Sequence, residues 1–156
     1  MMKKTLLLAL FFCSSFVNAQ VITSCQNPKG TGFYHHHGPI SSSESGWKDE
    51  KITGGITTLN KMADGKYDIL IVDARKSVLS FRQDGGEVVL LRKGANDATF
   101  LHMYPGMVIE LYTFWKDAKG KFRFDMLQSK GGDGLQIHKS TVMVGDCSFI
   151  DFSLIK

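Results

Sequence analysis

From Lys51 onward, apolar and polar residues alternate in short runs, and each run ends in turn chemistry. The alternation predicts strands over 52–60, 67–73, 78–82, 87–92, 99–104, 107–116, 121–128, 135–144 and 148–154. No segment carries a sustained helical stripe. Asp64-Gly65 suits a two-residue type I′ hairpin, whose central positions both need φ > 0. Pro105-Gly106 fits the centre of a type II turn, and Ala118-Lys119-Gly120 a three-residue hairpin loop. The reading is an all-β antiparallel meander of about eight strands, closed as a barrel or packed as a sandwich. Residues 20–50 carry Pro28, Pro39 and Ser41-Ser42-Ser43 with few periodic apolar positions, and read as a loop-rich arm tied down by Cys25 and Trp47. The domains expected are therefore a leader over 1–19, the arm over 20–50, and a β-domain over 51–156 that forms one unit with the arm.

The leader reading rests on Lys3 and Lys4 ahead of the apolar run 6–12, closed by Val17-Asn18-Ala19. This is the layout of a secretory signal peptide, and it implies a periplasmic or secreted protein. Leu10-Phe11-Phe12 before Cys13 lack the small residues that lipid-attaching peptidases prefer, so no stable membrane anchor is expected. Loss of Lys3 and Lys4 lowers the formal charge from +4 to +2. The remaining charges are mixed in sign along the chain, without the basic stripe that nucleic acid requires. Of the three cysteines, Cys13 leaves with the leader, and Cys25 and Cys147 are expected to pair in an oxidising compartment.

Pairing positions outward from the turns places chemistry on faces. A two-residue loop at Pro105-Gly106 would set Met103 opposite Val108, His102 opposite Ile109 and Leu101 opposite Glu110. A three-residue loop at 118–120 sets Trp115 opposite Arg123, Phe114 opposite Phe124, Tyr112 opposite Met126 and Glu110 opposite Gln128. The more apolar set then faces inward: Leu101, Met103, Val108, Glu110, Tyr112, Phe114, Phe124, Met126 and Gln128. Glu110, Gln128 and the Tyr112 hydroxyl become a polar anchor inside an apolar wall, the make-up of a small-molecule site. The bland alternative is a rim position for Glu110, or an ion pair with Arg82 or Arg92. This register sends His102 to the opposite face, so a His102–Glu110 dyad would need a bulge or a slipped register. Outside, Arg123 is expected over Trp115 as a cation–π pair, with Asp125 facing Thr113.

The run His35-His36-His37 offers imidazoles for a metal ion, with His35 and His37 pointing the same way if extended. A third ligand would have to come from elsewhere, and solvated histidines in the arm are the plainer reading. No Gly-x-Ser-x-Gly elbow, Cys-x-x-Cys pair or phosphate loop is present, so no catalytic residue and no cofactor beyond a possible metal ion are assigned. The function expected is that of an exported non-enzymatic β-domain binding a small molecule or an envelope protein. A periplasmic metal-binding protein using His35 and His37 and a hydrolase with an unrecognised site are the alternatives.

Overall fold

The computed structural model describes residues 19–73 and 75–156. The leader proposed for 1–19 thus lies almost wholly outside the described residues. Ten antiparallel strands form one sheet: β1 (Gln20–Tyr34), β2 (Gly46–Lys51), β3 (Ile56–Lys61), β4 (Tyr67–Val72), β5 (Val78–Ser80), β6 (Glu87–Lys93), β7 (Asp97–Tyr104), β8 (Val108–Lys116), β9 (Phe122–Lys130) and β10 (Lys139–Ile150). Their order is β5-β4-β3-β1-β10-β9-β8-β7-β6, and β2 pairs with β1 beside this path. The protein is all-β, and its sheet is curled into a half-barrel rather than a sandwich.

Connectivity forces the curl. β5 and β6 lie at opposite edges of the order, yet only residues 81–86 join them. That chain reaches roughly 25 Å, whereas the edges of a flat nine-strand sheet would stand about 38 Å apart. Rolling brings the edges together. The Tyr67 ring of β4 meets Phe100 of β7 at 5.0 Å, and Phe81 stacks on His102 at 3.6 Å. No ladder joins β4 to β6. The half-barrel stays open along this seam, where a cleft of about 630 Å³ runs between Lys66, Tyr67, Arg82 and the Gly85–Leu90 stretch.

The expected loop-rich arm is confined to residues 35–45. Residues 20–34 form the longest strand, which lies inside the sheet between β3 and β10. Gly30 and Gly32 mask this strand in the sequence, because glycine is a poor strand former. At Gly30 glycine is required, since a Cβ would lie 1.8 Å from the Val142 carbonyl oxygen. β1 changes partner along its length, pairing with β3 over Gln20–Gln26 and with β2 over Lys29–Tyr34. An irregularity at Asn27-Pro28, with Asn27 at φ 51°, separates the two halves. Trp47 does not tie anything into the core; it is 67% exposed and meets only the edge of Phe33. The runs expected over 135–144 and 148–154 merge into the single strand β10.

Two turns differ from expectation in the same sense. Asp64-Gly65 sits in a three-residue loop, with Gly65 N–H donating to Met62 and only Gly65 in the left-handed region. Pro105-Gly106 does form a type II turn, with Gly106 at φ 77° and Met107 N–H donating to Tyr104 O. Met107 is an added loop residue, however, and Tyr104 pairs with Val108. A type II turn twists against a hairpin, so a two-residue loop would splay the strands. The extra residue removes that conflict, and the Met107 carbonyl accepts from Gly131 N–H instead of entering the β7–β8 ladder.

Ile22, Leu59, Ile69, Phe100, Phe114 and Phe124 fill the interior. The far end is sealed by the C-terminal residues, which turn under the barrel through a 3-10 turn at Phe152–Leu154. Ile155 is fully buried there. Lys61 and Lys93 donate to the Leu154 and Ile155 carbonyls, and Tyr67 hydroxyl bonds to Lys156. Cys25 and Cys147 are register partners on β1 and β10 and form a disulfide.

Candidate functional site

The one-residue shift in the β7–β8 hairpin decides what shares the interior. Leu101 and Met103 leave the predicted inner set, and Ala98, Phe100 and His102 replace them, while Val108 keeps its phase with Glu110 on β8. The β8–β9 pairing stands as expected, with Glu110 opposite Gln128, Tyr112 opposite Met126 and Phe114 opposite Phe124. One rung therefore runs inward-facing through His102 on β7, Glu110 on β8, Gln128 on β9, Thr141 on β10 and Gly32 on β1. Four of its five residues are polar, beside an apolar core of Phe100, Phe114, Phe124 and Ile69.

Glu110 is its centre. The carboxylate is buried and accepts from Tyr112 Oη at 3.0 Å, from Gln128 Nε2, and meets His102 Nδ1 at 2.7 Å. A buried carboxylate with several donors is tolerated where a bare one is not. The expected arginine partners go elsewhere: Arg82 pairs with Asp64 at 3.2 Å and Arg92 with Asp97 at 2.6 Å. Burial, then the adjacent Glu110 charge and hydrogen bond, hold the Tyr112 phenol well above its ordinary pKa. The His102–Glu110 pair that the two-residue turn would have excluded is thus present. Its outer nitrogen, Nε2, is buried without a hydrogen-bond partner and faces Gly86, where a Cβ would lie 2.7 Å away.

Below the rung lies a cavity of about 130 Å³ that reaches Glu110, Tyr112 and Gln128. Phe124, Met126 and Met143 line one side, the cross-strand pair Thr57 and Ile71 another, and Ile52 lies towards the β2–β3 loop. A second polar group borders it. Glu50 Oε1 accepts from Tyr34 Oη at 2.6 Å and from Lys139 Nζ at 2.7 Å. The Glu50 hydrogen bond, burial and the carboxylate charge push the Tyr34 phenol up to about 12. Gly32 makes room for this carboxylate, since a Cβ would stand 2.7 Å from Glu50 Oε1.

Two polar atoms at the cavity are left unmatched. Gln128 must turn its amide nitrogen towards Glu110, because a carboxylate only accepts. Its Oε1 is therefore directed away, buried and without a partner. Thr141 is 2% exposed and its Oγ1 is likewise unpartnered. Thr141 and Glu50 were not singled out in the sequence; the missing signal was β1 and β2, which bring Gly32 and Glu50 alongside β10.

The histidine run is dispersed. His35 packs edge-on against Phe33, while His37 stacks on His138 at 3.7 Å. Among the described residues no group of three His, Cys, Asp or Glu side chains is placed to hold a metal ion. On the outer face Arg123 lies opposite Trp115 but turns to Asp146 at 2.5 Å rather than forming the expected cation–π pair. Compared with known proteins, the chain matches no family, no curated protein and no solved structure. The fold and site define a disulfide-linked antiparallel half-barrel with a polar rung above a small apolar cavity.

Proposed function

We propose that this chain is an exported, non-enzymatic binding protein that holds a small molecule inside the half-barrel, with Glu110, Gln128 and Tyr112 as its polar anchor. The observation that carries the reading is the cavity reaching Glu110 and lined by Gln128 and Thr141, whose buried Oε1 and Oγ1 have no partner. A buried polar atom without a partner costs about 1–3 kcal/mol, and a bound molecule that satisfied it would recover that cost. The Cys25–Cys147 disulfide supports an oxidising compartment, periplasmic or extracellular. Native mass spectrometry of protein purified from its own host tests the proposal. The expected result is a small-molecule adduct that is released on denaturation and is lost in the Glu110→Leu variant. A bare polypeptide mass under gentle conditions counts against it.

An envelope protein as partner is the second reading, favoured by the outer face. There Val89, Leu101, Leu111, Leu127 and Val142 share one rung, and Val89, Leu127 and Val142 are more than 40% exposed. Such continuity of apolar surface marks contact sites more often than scattered apolar residues do. A photo-cross-linker at position 127 tests it in cells, and the failure to trap any protein would remove it.

A further inference from the structure

Resting on the small-molecule reading above, we infer that the cavity selects a compact ring compound bearing a hydroxyl group, which donates to Gln128 Oε1 and accepts from Thr141 Oγ1. Size comes first. The cavity measures about 130 Å³, close to the roughly 150 Å³ apolar cavity that admits benzene in an engineered protein. A ligand of about seven non-hydrogen atoms matches that volume.

Chemistry comes second. The Glu110 carboxylate fixes the Gln128 amide with oxygen outward, so this position requires a donor from the ligand. Thr141 is the cross-strand partner of Gln128 and faces the same interior. Its hydroxyl can give or take a proton, so a ligand O–H donating to Gln128 receives a hydrogen bond from Thr141 in return. A pure hydrocarbon would leave both atoms unmatched, and a carboxylate would face the Gln128 oxygen and the Glu110 charge. The apolar lining of Phe124, Met126, Met143 and Ile71 suits an apolar ring.

Phenol and toluene, which match in size and shape, separate the donor requirement from the cavity itself. Titrations into the disulfide-bonded protein would follow the methyl resonances of Ile71, Met126 and Met143. Phenol is expected to shift these methyls and to bind about tenfold more tightly than toluene, the factor one recovered buried hydrogen bond supplies. Thr141→Val removes one of the two partners of the ligand hydroxyl and should narrow that preference, and Thr141→Ser should restore it. Toluene binding equal to or tighter than phenol would overturn the hydroxyl inference and leave the cavity reading standing. No methyl shift with either probe at millimolar concentration, or shifts confined to the outer residues Leu127 and Val142, would overturn both. Unfolding midpoints of the variants, measured in parallel, ensure that a lost preference is not lost folding.

Discussion

His102 and Glu110 face each other across β7 and β8, with Nδ1 2.7 Å from Oε2 and both side chains out of solvent. Glu110 also serves Tyr112 and Gln128, so one carboxylate holds three neighbours. Replacing it by glutamine exchanges one acceptor oxygen for an amide nitrogen that must point at a donor. We expect Glu110→Gln to lower stability by about 1–3 kcal/mol, read as a lower urea midpoint at constant slope. An unchanged midpoint would mean that the carboxylate does not hold the rung together.

The end of the half-barrel rests on Ile155, whose side chain is wholly buried although it is the next-to-last residue. Ile155→Ala should cost about 2–5 kcal/mol through lost burial and the cavity left behind. Ser153→Ala, on the exposed face of the same turn, serves as the control and should cost under about 1 kcal/mol. Thermal melts of the two variants compare them directly.

The disulfide joins residues 122 apart in sequence. The chain-entropy treatment assigns such a loop about 5 kcal/mol, and native disulfides of small domains are generally worth 2–5. The double variant Cys25→Ser, Cys147→Ser is expected to lose stability within that range. Reduction of the unaltered protein should match it in chemical denaturation.

Three tyrosines set the alkaline behaviour. Tyr34 is raised to about 12 by its Glu50 hydrogen bond, burial and the carboxylate charge; burial first and Asp84 second raise Tyr104; burial and Glu110 raise Tyr112. A phenol whose pKa is higher in the fold stabilises it fully below the unfolded value of about 10. That contribution is lost as pH rises through the folded value. Stability should therefore decline above pH ~10, with the Tyr34 share gone by pH ~12. Tyr34→Phe should flatten the decline, as seen by melting temperature against pH alongside tyrosinate absorbance.

The β8–β9 hairpin was legible to the residue because Gly120 at φ 80° closes a loop whose length the sequence states. The β7–β8 hairpin was not, because Pro105-Gly106 names a turn type without saying whether Met107 belongs to the loop or to the strand. That single residue reverses every side chain of β7, which is why Glu110, Gln128 and Tyr112 could be placed inside while His102 could not. β1 escaped because Gly30 and Gly32 answer to the backbone and side chains of neighbouring strands, not to local strand preference. Without β1 and β2, neither Glu50 nor the unmatched Thr141 could be brought to the cavity.

The pairing of β1 with β10 also governs the order of events at birth. The strand β1 begins at Gln20, yet its neighbour β10 ends at Ile150. A chain emerging from its amino end must keep β1 waiting until nearly all of the remaining residues have appeared. Contacts of such large sequence separation make for slow folding. In the interval, the Cys25 thiol has no native partner, and the edge of β1 that awaits β10 is open to other strands. This protein is thus expected to depend during synthesis on whatever shields an unfinished sheet, and to acquire its disulfide only after the whole chain has emerged.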